Sequence, residues 1–464
     1  MVYLVYVWVD GSEFNMLRIK LRCLLFTITL GLILSNPLLG LAQGTGAKLD
    51  LSQTIEAAIK ANLRLQQSQD EVDAAQATKR ARTTEFLPTL NARYSYIRRD
   101  DPVVQALGGQ DGQIIDVLTQ PEDEYNFVTS FNQPIFTGFA LLNQYKIASL
   151  GLDVAEYLEK ITRQDVILDA KNAYYSVLKA QKLVDVARDT VRQIAAQKDV
   201  AENMYRVGMS PLNDLLQTQV QLANAKQRLI TAQNTMEIAK SQFNTLLRRP
   251  VNAPVTIADI LDYTPFEYDV DYCLTRAEAN RLEIHVADLE VQIAQKDYRL
   301  SQRDYYPSVN LTGTLTHRGT DWDVNGGEGI GDDQFWDIRA TASWNFWEWG
   351  RTTYGVREKV SRLSQAKSRK EELLDNIDMG VNRAYLRTIE SEQNILTIEK
   401  AIEQARENLR ITEERFKEQV STATDVLVAQ TLETDTMTNY YNALYDYKIA
   451  KAVLYREIGQ EKLE

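Results

Sequence analysis

The chain has 464 residues, 44% of them hydrophobic and 25% charged, and a formal net charge of −12 at pH 7. Such acidity opposes nucleic-acid binding, which needs a cationic surface. The two histidines, His285 and His317, sit in no metal-ligand or nucleophile-pairing arrangement, so neither an enzyme nor a bound cofactor is expected. The length would admit several globular domains. However, residues 152–207, 212–249 and 381–458 contain neither glycine nor proline, and uninterrupted stretches of that size mark long helices.

In chain order, Arg18, Lys20 and Arg22 form a basic segment, Cys23 to Leu34 an apolar one, and Gly40-Leu41-Ala42 a small-residue cleavage site. Residues 1–42 therefore read as an export signal, with Met16 a candidate true start. Removing them takes the net charge from −12 to −13 and leaves Cys273 as the one cysteine, so no internal disulfide is expected. No later apolar run suits a membrane-crossing helix. An exported chain of this kind would have to cross a membrane with strands.

The remainder is one unit written twice. Ala173-Tyr174 recurs as Ala384-Tyr385, Tyr205 as Phe416, Ser210 as Ser421, Asp214 as Asp425, Gln219 as Gln430 and Ala239-Lys240 as Ala450-Lys451. These pairs share one offset, the mark of an internal repeat. The first repeat is placed at residues 43–249, a connector at 250–272 and the second repeat at 273–464. Pro88 answers Pro307 with an offset larger by eight, so the first copy carries the longer loop between its strands.

A first helix is expected from Ser52, its cap, to Glu85, ending at Phe86-Leu87-Pro88 because the residue before proline leaves the helical region. A strand follows from Thr89 to Arg98, with Leu90, Ala92, Tyr94 and Tyr96 on one face. A second, from Tyr125 to Gln133, alternates more weakly. Strands at Ser308 to His317 and Trp336 to Phe346 alternate cleanly; the latter sets Trp336, Ile338, Trp344 and Phe346 against Asp337, Arg339, Ser343 and Asn345. Strands of about ten residues, apolar on one side only, suit a transmembrane barrel with a wet interior, although a half-buried soluble strand has the same period. Five of the six tryptophans fall between Trp322 and Trp349. Tyr94, Tyr96, Trp336, Trp344 and Phe346 thus form a candidate lipid-facing girdle. Four strands cannot close alone, so several chains are required; three would supply twelve strands, a number the pattern itself leaves open.

Beyond the second strand, a helix of about 65 residues is expected from Leu141 to Tyr205. Its seam of Val166, Ala170, Ala173, Val177, Ala180 and Val184 alternates steps of four and three, as does the seam from Ile377 to Ala405 in the second copy. That spacing gives coiled-coil packing. Ser210-Pro211 has the composition of a cap plus first helical residue, and a helix of about 38 residues returns. Asp321, Asp323, Asn325 and Asp332 match a calcium-loop spacing with Gly326 at the turn. Asp at the last position, Glu328 where an apolar residue is usual, and the strand flanks favour a plain exposed loop instead.

The chain resembles the TolC family of outer-membrane efflux proteins over essentially all of the mature sequence. The duplicated plan, Phe86-Leu87-Pro88, Tyr305-Tyr306-Pro307, Gln133-Pro134-Ile135-Phe136-Thr137-Gly138, and the hairpin Tyr205-Arg206-Val207-Gly208-Met209 with Asp214 downstream carry the likeness. The resemblance implies a mainly α fold with a transmembrane β-barrel portion, built as a homotrimer with a twelve-stranded barrel in outer-membrane lipid and a coiled-coil tunnel across the periplasm of a Gram-negative bacterium. It implies export of small molecules or polypeptides as the exit duct of a tripartite efflux or type I secretion system. The partners would be a periplasmic adaptor (membrane fusion) protein and an inner-membrane pump or ABC exporter.

By the same resemblance Asp214 and Asp425 would gate the tunnel, and Tyr205, Val207, Gly208, Met209, Phe416 and Gln419 would form adaptor-contacting tips. A further family aspartate is Val428 here, and an arginine of the closed-state lock is Ser421. Each aspartate also fits the first turn of a helix, where the dipole favours it. The competing reading of the whole chain is a periplasmic coiled-coil or adhesin stalk without a pore.

Overall fold

The computed structural model describes residues 48–108, 114–259 and 263–460. The export-signal expectation for residues 1–42 lies outside them. Residues from Leu49 onward belong to one compact unit, and its elements run α1 Leu51–Ala61, α2 Leu63–Thr84, β1 Thr89–Arg98, β2 Val103–Gly108, β3 Ile114–Gln120, β4 Asp123–Thr137, α3 Ala140–Arg206, α4 Leu212–Leu246, α5 Val270–Asn280, α6 Leu282–Ser301, β5 Ser308–Gly319, β6 Gln334–Ser343, α7 Arg351–Lys417 and α8 Ala423–Glu457.

The duplication is visible in these boundaries. Helices α3 and α7 are both 67 residues long, about 100 Å at 1.5 Å per residue, and α4 and α8 are both 35. Each pair starts and stops at the shared repeat offset. The longer loop of the first copy holds the β2–β3 hairpin, which the sequence reading did not anticipate; its register slips between Val103 and Val104.

The helix expected from Ser52 to Glu85 is two helices. Asn62, with φ −73° and ψ 122°, leaves the helical region, and its side chain accepts from the N–H groups of Arg64 and Leu65. An asparagine that can bond its own backbone favours such a cap over a helix interior. Asp50, not Ser52, caps α1, in a reciprocal box with Gln53. Arg281 breaks the second copy at the matching place, without a side-chain cap bond. At the tip, Pro211 stands at the cap position of α4 rather than inside the helix.

Among the described residues, the two largest hydrophobic cores join the long helices to the connector and the shorter helices. Tyr174, Leu178, Phe243, Ala58 and Ile257 form one; Val381, Cys273, Tyr447 and Leu454 form the other. The small residues of the two seams are buried as the spacing requires, Val166, Ala170, Val177 and Val184 on α3 and Ile377, Val381, Ala384 and Ile395 on α7. The connector is pinned across both cores. Tyr174 donates its hydroxyl to the carbonyl of Ala258 at 2.6 Å, Lys182 pairs with Asp259 at 2.5 Å, and buried Glu392 accepts from the Phe266 N–H at 3.1 Å and the Tyr263 hydroxyl at 2.8 Å.

Sheet and helices meet at matched turns. Gly138 and Phe139 precede α3, Trp349 and Gly350 precede α7, and all four have φ between 53° and 87°. Gly138 has a second constraint, since a Cβ there would lie 2.4 Å from the Arg303 carbonyl oxygen. In the second copy Trp349 accepts the left-handed conformation that glycine takes in the first.

Candidate functional site

Four antiparallel strands form one sheet in the order β1-β4-β5-β6. Directly paired residues share a face, so the register gives each side its chemistry. One side carries Leu90, Phe131, Gly313 and Ile338 in one row and Ala92, Thr129, Leu315 and Trp336 in the next. The other carries Asn91, Ser130, Thr314 and Asp337, then Thr89, Asn132, Thr312 and Arg339. Phe131 covers Gly313 so closely that a Cβ at residue 313 would come within 2.2 Å of its ring. A register shift between Pro134 and Phe136 absorbs the proline, which cannot donate to the ladder.

The aromatic residues of the apolar side lie toward its two ends. Tyr94, Tyr96 and Trp336 are exposed toward the loop end, and Tyr94 donates to the carbonyl of Trp322 at 2.7 Å. Trp344 and Phe346, expected inside the last strand, instead follow its end at Ser343, where with Trp347 and Trp349 they form an exposed cluster beside the helices. A ten-residue strand at about 3.3 Å per residue, tilted by some 40°, separates such belts by roughly 25 Å, the height of a barrel's apolar band. Among the described residues no helix is long and apolar enough to cross a membrane. Among the described residues, this sheet face is an exposed apolar surface.

At the opposite end of the long helices are the two tips. Gly208 has φ 75°, and its counterpart Gln419 has φ 60°. The closing bonds correspond: Met209 N–H to the Met204 carbonyl and Val420 N–H to the Arg415 carbonyl, both at 2.8 Å. The second tip thus keeps the turn without its glycine. Tyr205, Val207 and Met209 are exposed, and Gln419 reaches Met209 Sδ at 3.8 Å, joining the tips. Phe416 departs from expectation. It is 6% exposed, packed with Leu409, Ala423, Val426 and Ala429, and so is a core residue of the second tip rather than a surface contact. Repeat equivalence with exposed Tyr205 hid this difference.

Asp214 accepts from the Ser210 hydroxyl at 2.9 Å. Asp425 accepts from both the backbone N–H and the hydroxyl of Thr422 at 2.8 Å, in a capping box that starts α8. The Thr422 N–H, its hydroxyl and nearby Arg415 hold the Asp425 carboxyl below the usual range. Within one chain both aspartates serve helix starts. Ser421, in the lock position, donates to the Thr412 carbonyl of its own hairpin.

The loop from Gly319 to Gln334 does not assemble its acidic residues. Gly326 bonds back to Arg318 and Thr320, Asn325 donates to Asp323 at 3.2 Å, and Asp321 and Asp332 extend into solvent. No group of three or more His, Cys, Asp or Glu placed to hold a metal occurs among the described residues. The backbone closes this loop on itself, and the calcium spacing in the sequence does not become a site. His285 stacks on Tyr157 at 5.4 Å, and His317 pairs opposite Phe127 on the apolar side of the sheet.

Comparison with known proteins agrees with this geometry. Residues 54–247 and 273–460 match the outer membrane efflux protein family. The chain belongs to that family, whose members are outer-membrane channels of Gram-negative bacteria and not enzymes. It is 23% identical over 305 residues to outer membrane protein TolC of Vibrio cholerae, covering 64% of this chain and 68% of that protein. In fold it is similar to the Vibrio cholerae outer membrane protein VceC, with a TM-score of 0.74 at 17% identity over 88% of this chain and 96% of that one. The Campylobacter jejuni outer membrane channel CmeC gives 0.75 at 15% identity, over 91% of this chain and 90% of the other.

Proposed function

We propose that three copies of this chain close a twelve-stranded barrel and continue it as a helical tunnel, the exit duct of a tripartite efflux or type I secretion system. The observation that carries this reading is the four-stranded sheet with one apolar side and two unpaired edges, β1 and β6. Open edges are not tolerated in hydrocarbon. Because neighbours in the sheet are antiparallel throughout, β6 of one copy and β1 of the next run in opposite senses and can pair. A stalk without a pore would leave that apolar side in water.

The tips suit an adaptor. Val207 and Met209 on the first and Val420 on the second are exposed apolar residues on tight turns, and an inner-membrane pump or ABC exporter would act behind the adaptor. Asp214 and Asp425 remain candidates for a gate in the assembled trimer. Purified protein, chemically cross-linked in detergent and then reconstituted in planar bilayers, tests the proposal. Cross-linking should stop at three subunits and single channels should appear. A monomer that conducts nothing would refute it.

A further inference from the structure

Near the tips, α4 and α8 flank a groove of about 800 Å³ lined by twelve residues. Every one of them has its repeat counterpart on the opposite wall. Leu216 answers Leu427, Gln217 answers Val428, and Gln221 answers Leu432. The two helices run in the same direction and in register, with the Thr424 hydroxyl donating to Gln217 Oε1 at 2.7 Å across the groove.

This equivalence gives the groove a side. Parallel neighbours in a flat wall touch through different flanks. Equivalent faces of both can bound one space only where the wall curves toward it, so the groove lies on the concave surface. Helix α3 backs it from the convex side, where Ile194 is buried against Ala225 and Leu427. If three copies close around an axis, the concave surface is the lumen; this step rests on the channel reading above.

Five of the twelve lining residues are apolar, six carry neutral amides or hydroxyls and one is acidic. Leu216, Val220, Val428 and Leu432 are 50%, 61%, 63% and 50% exposed, amid amide and hydroxyl side chains. One carboxylate, Asp435, stands at the end away from the tip, opposite Asn224, and neither Asp214 nor Asp425 lines the groove. Residues 213–224 rise about 16 Å. We propose that Leu216, Val220, Val428 and Leu432 form an apolar throat just inside the tips, which passes uncharged and amphipathic small solutes and opposes ions. An ion passing these four side chains exchanges water for hydrocarbon neighbours on that side.

Reversal potentials in planar bilayers test the throat. The wild-type potassium-to-chloride permeability ratio should stay within roughly threefold of unity, and Val428→Asp, one new carboxylate per subunit around the axis, should raise it about fivefold or more. Val428→Cys should lose most of its conductance on treatment with a cationic methanethiosulfonate, because the native Cys273 is buried. Conducting channels that ignore both changes would overturn the throat and leave the channel intact. A wild-type protein without conductance would overturn the channel and the throat together.

Discussion

Arg456→Ala should destabilise the protein by about 3–5 kcal/mol, the usual cost of removing one partner from a buried ion pair. Arg456 is 12% exposed in its side chain and joins three helices: its Nε donates to Asp165 on α3 at 2.8 Å and its Nη2 to Glu283 on α6 at 2.7 Å. Arg281 completes the network, meeting Glu283 at 3.0 Å and Glu457 at 2.7 Å. Burial works to raise the Glu283 carboxyl, but Arg281 and Arg456 outweigh it and hold that carboxyl below its ordinary value. Without Arg456, Glu283 keeps its desolvation cost with Arg281 alone to offset it, and the partly exposed Asp165 loses its partner. The first copy offers an internal control, since Arg64 meets Asp169 at 3.2 Å with both side chains about half exposed. Arg64→Ala should cost under about 1 kcal/mol. Thermal unfolding of both variants in detergent, followed by circular dichroism, makes the comparison.

Lys171→Met should act in the opposite direction and stabilise the protein at neutral pH by about 2–3 kcal/mol. Lys171 is 5% exposed on α3 and makes no ion pair among the described residues. Burial pushes its ammonium group down to about 8 from 10.5. Between those values the unfolded chain binds the proton and the folded one releases it, so stability rises with pH through this window. Below pH 8 the folded state bears the full cost of a buried charge. The advantage of Lys171→Met should therefore be largest at pH 7 and shrink to nothing near pH 10.5. Buried Tyr174 and half-buried Tyr263 resist ionisation up to about 12, an effect of opposite slope above pH 10 that cancels between wild type and variant. An advantage that does not change with pH would mean that Lys171 acts through shape rather than charge.

The long elements were legible because each is written in a period that repeats many times. The seams on α3 and α7 and the alternation from Ser308 onward leave little freedom, and the shared offset located α4 and α8 together. What stayed hidden was local. Asn62 and Arg281 break their helices through single-residue φ/ψ choices, and only Asn62 carries a side-chain cap that could have signalled the break. The β2–β3 hairpin lies in the longer loop that the eight-residue mismatch located, but that mismatch says nothing of its conformation. Phe416 and Tyr205 occupy equivalent positions, yet one is core and the other surface, because burial depends on what the second tip packs against. The acidic residues from Asp321 to Asp332 matched a spacing, but a site needs convergence, and the bonds of Gly326 to Arg318 and Thr320 turn the loop another way. The apolar groove between α4 and α8 was encoded in the same offset. It appears only when the two helices lie side by side.

The central claim is that lipid covers one side of the sheet and water the other. Single cysteines at Leu90 and Ile338 on the apolar side, and at Asn91 and Thr314 on the polar side, test it in intact outer membranes, with buried Cys273 as a silent background. The account predicts that a membrane-impermeant maleimide labels residues 91 and 314 and spares 90 and 338, where an attached fluorophore is instead quenched by brominated lipid. Ready aqueous labelling at residues 90 and 338 would contradict it.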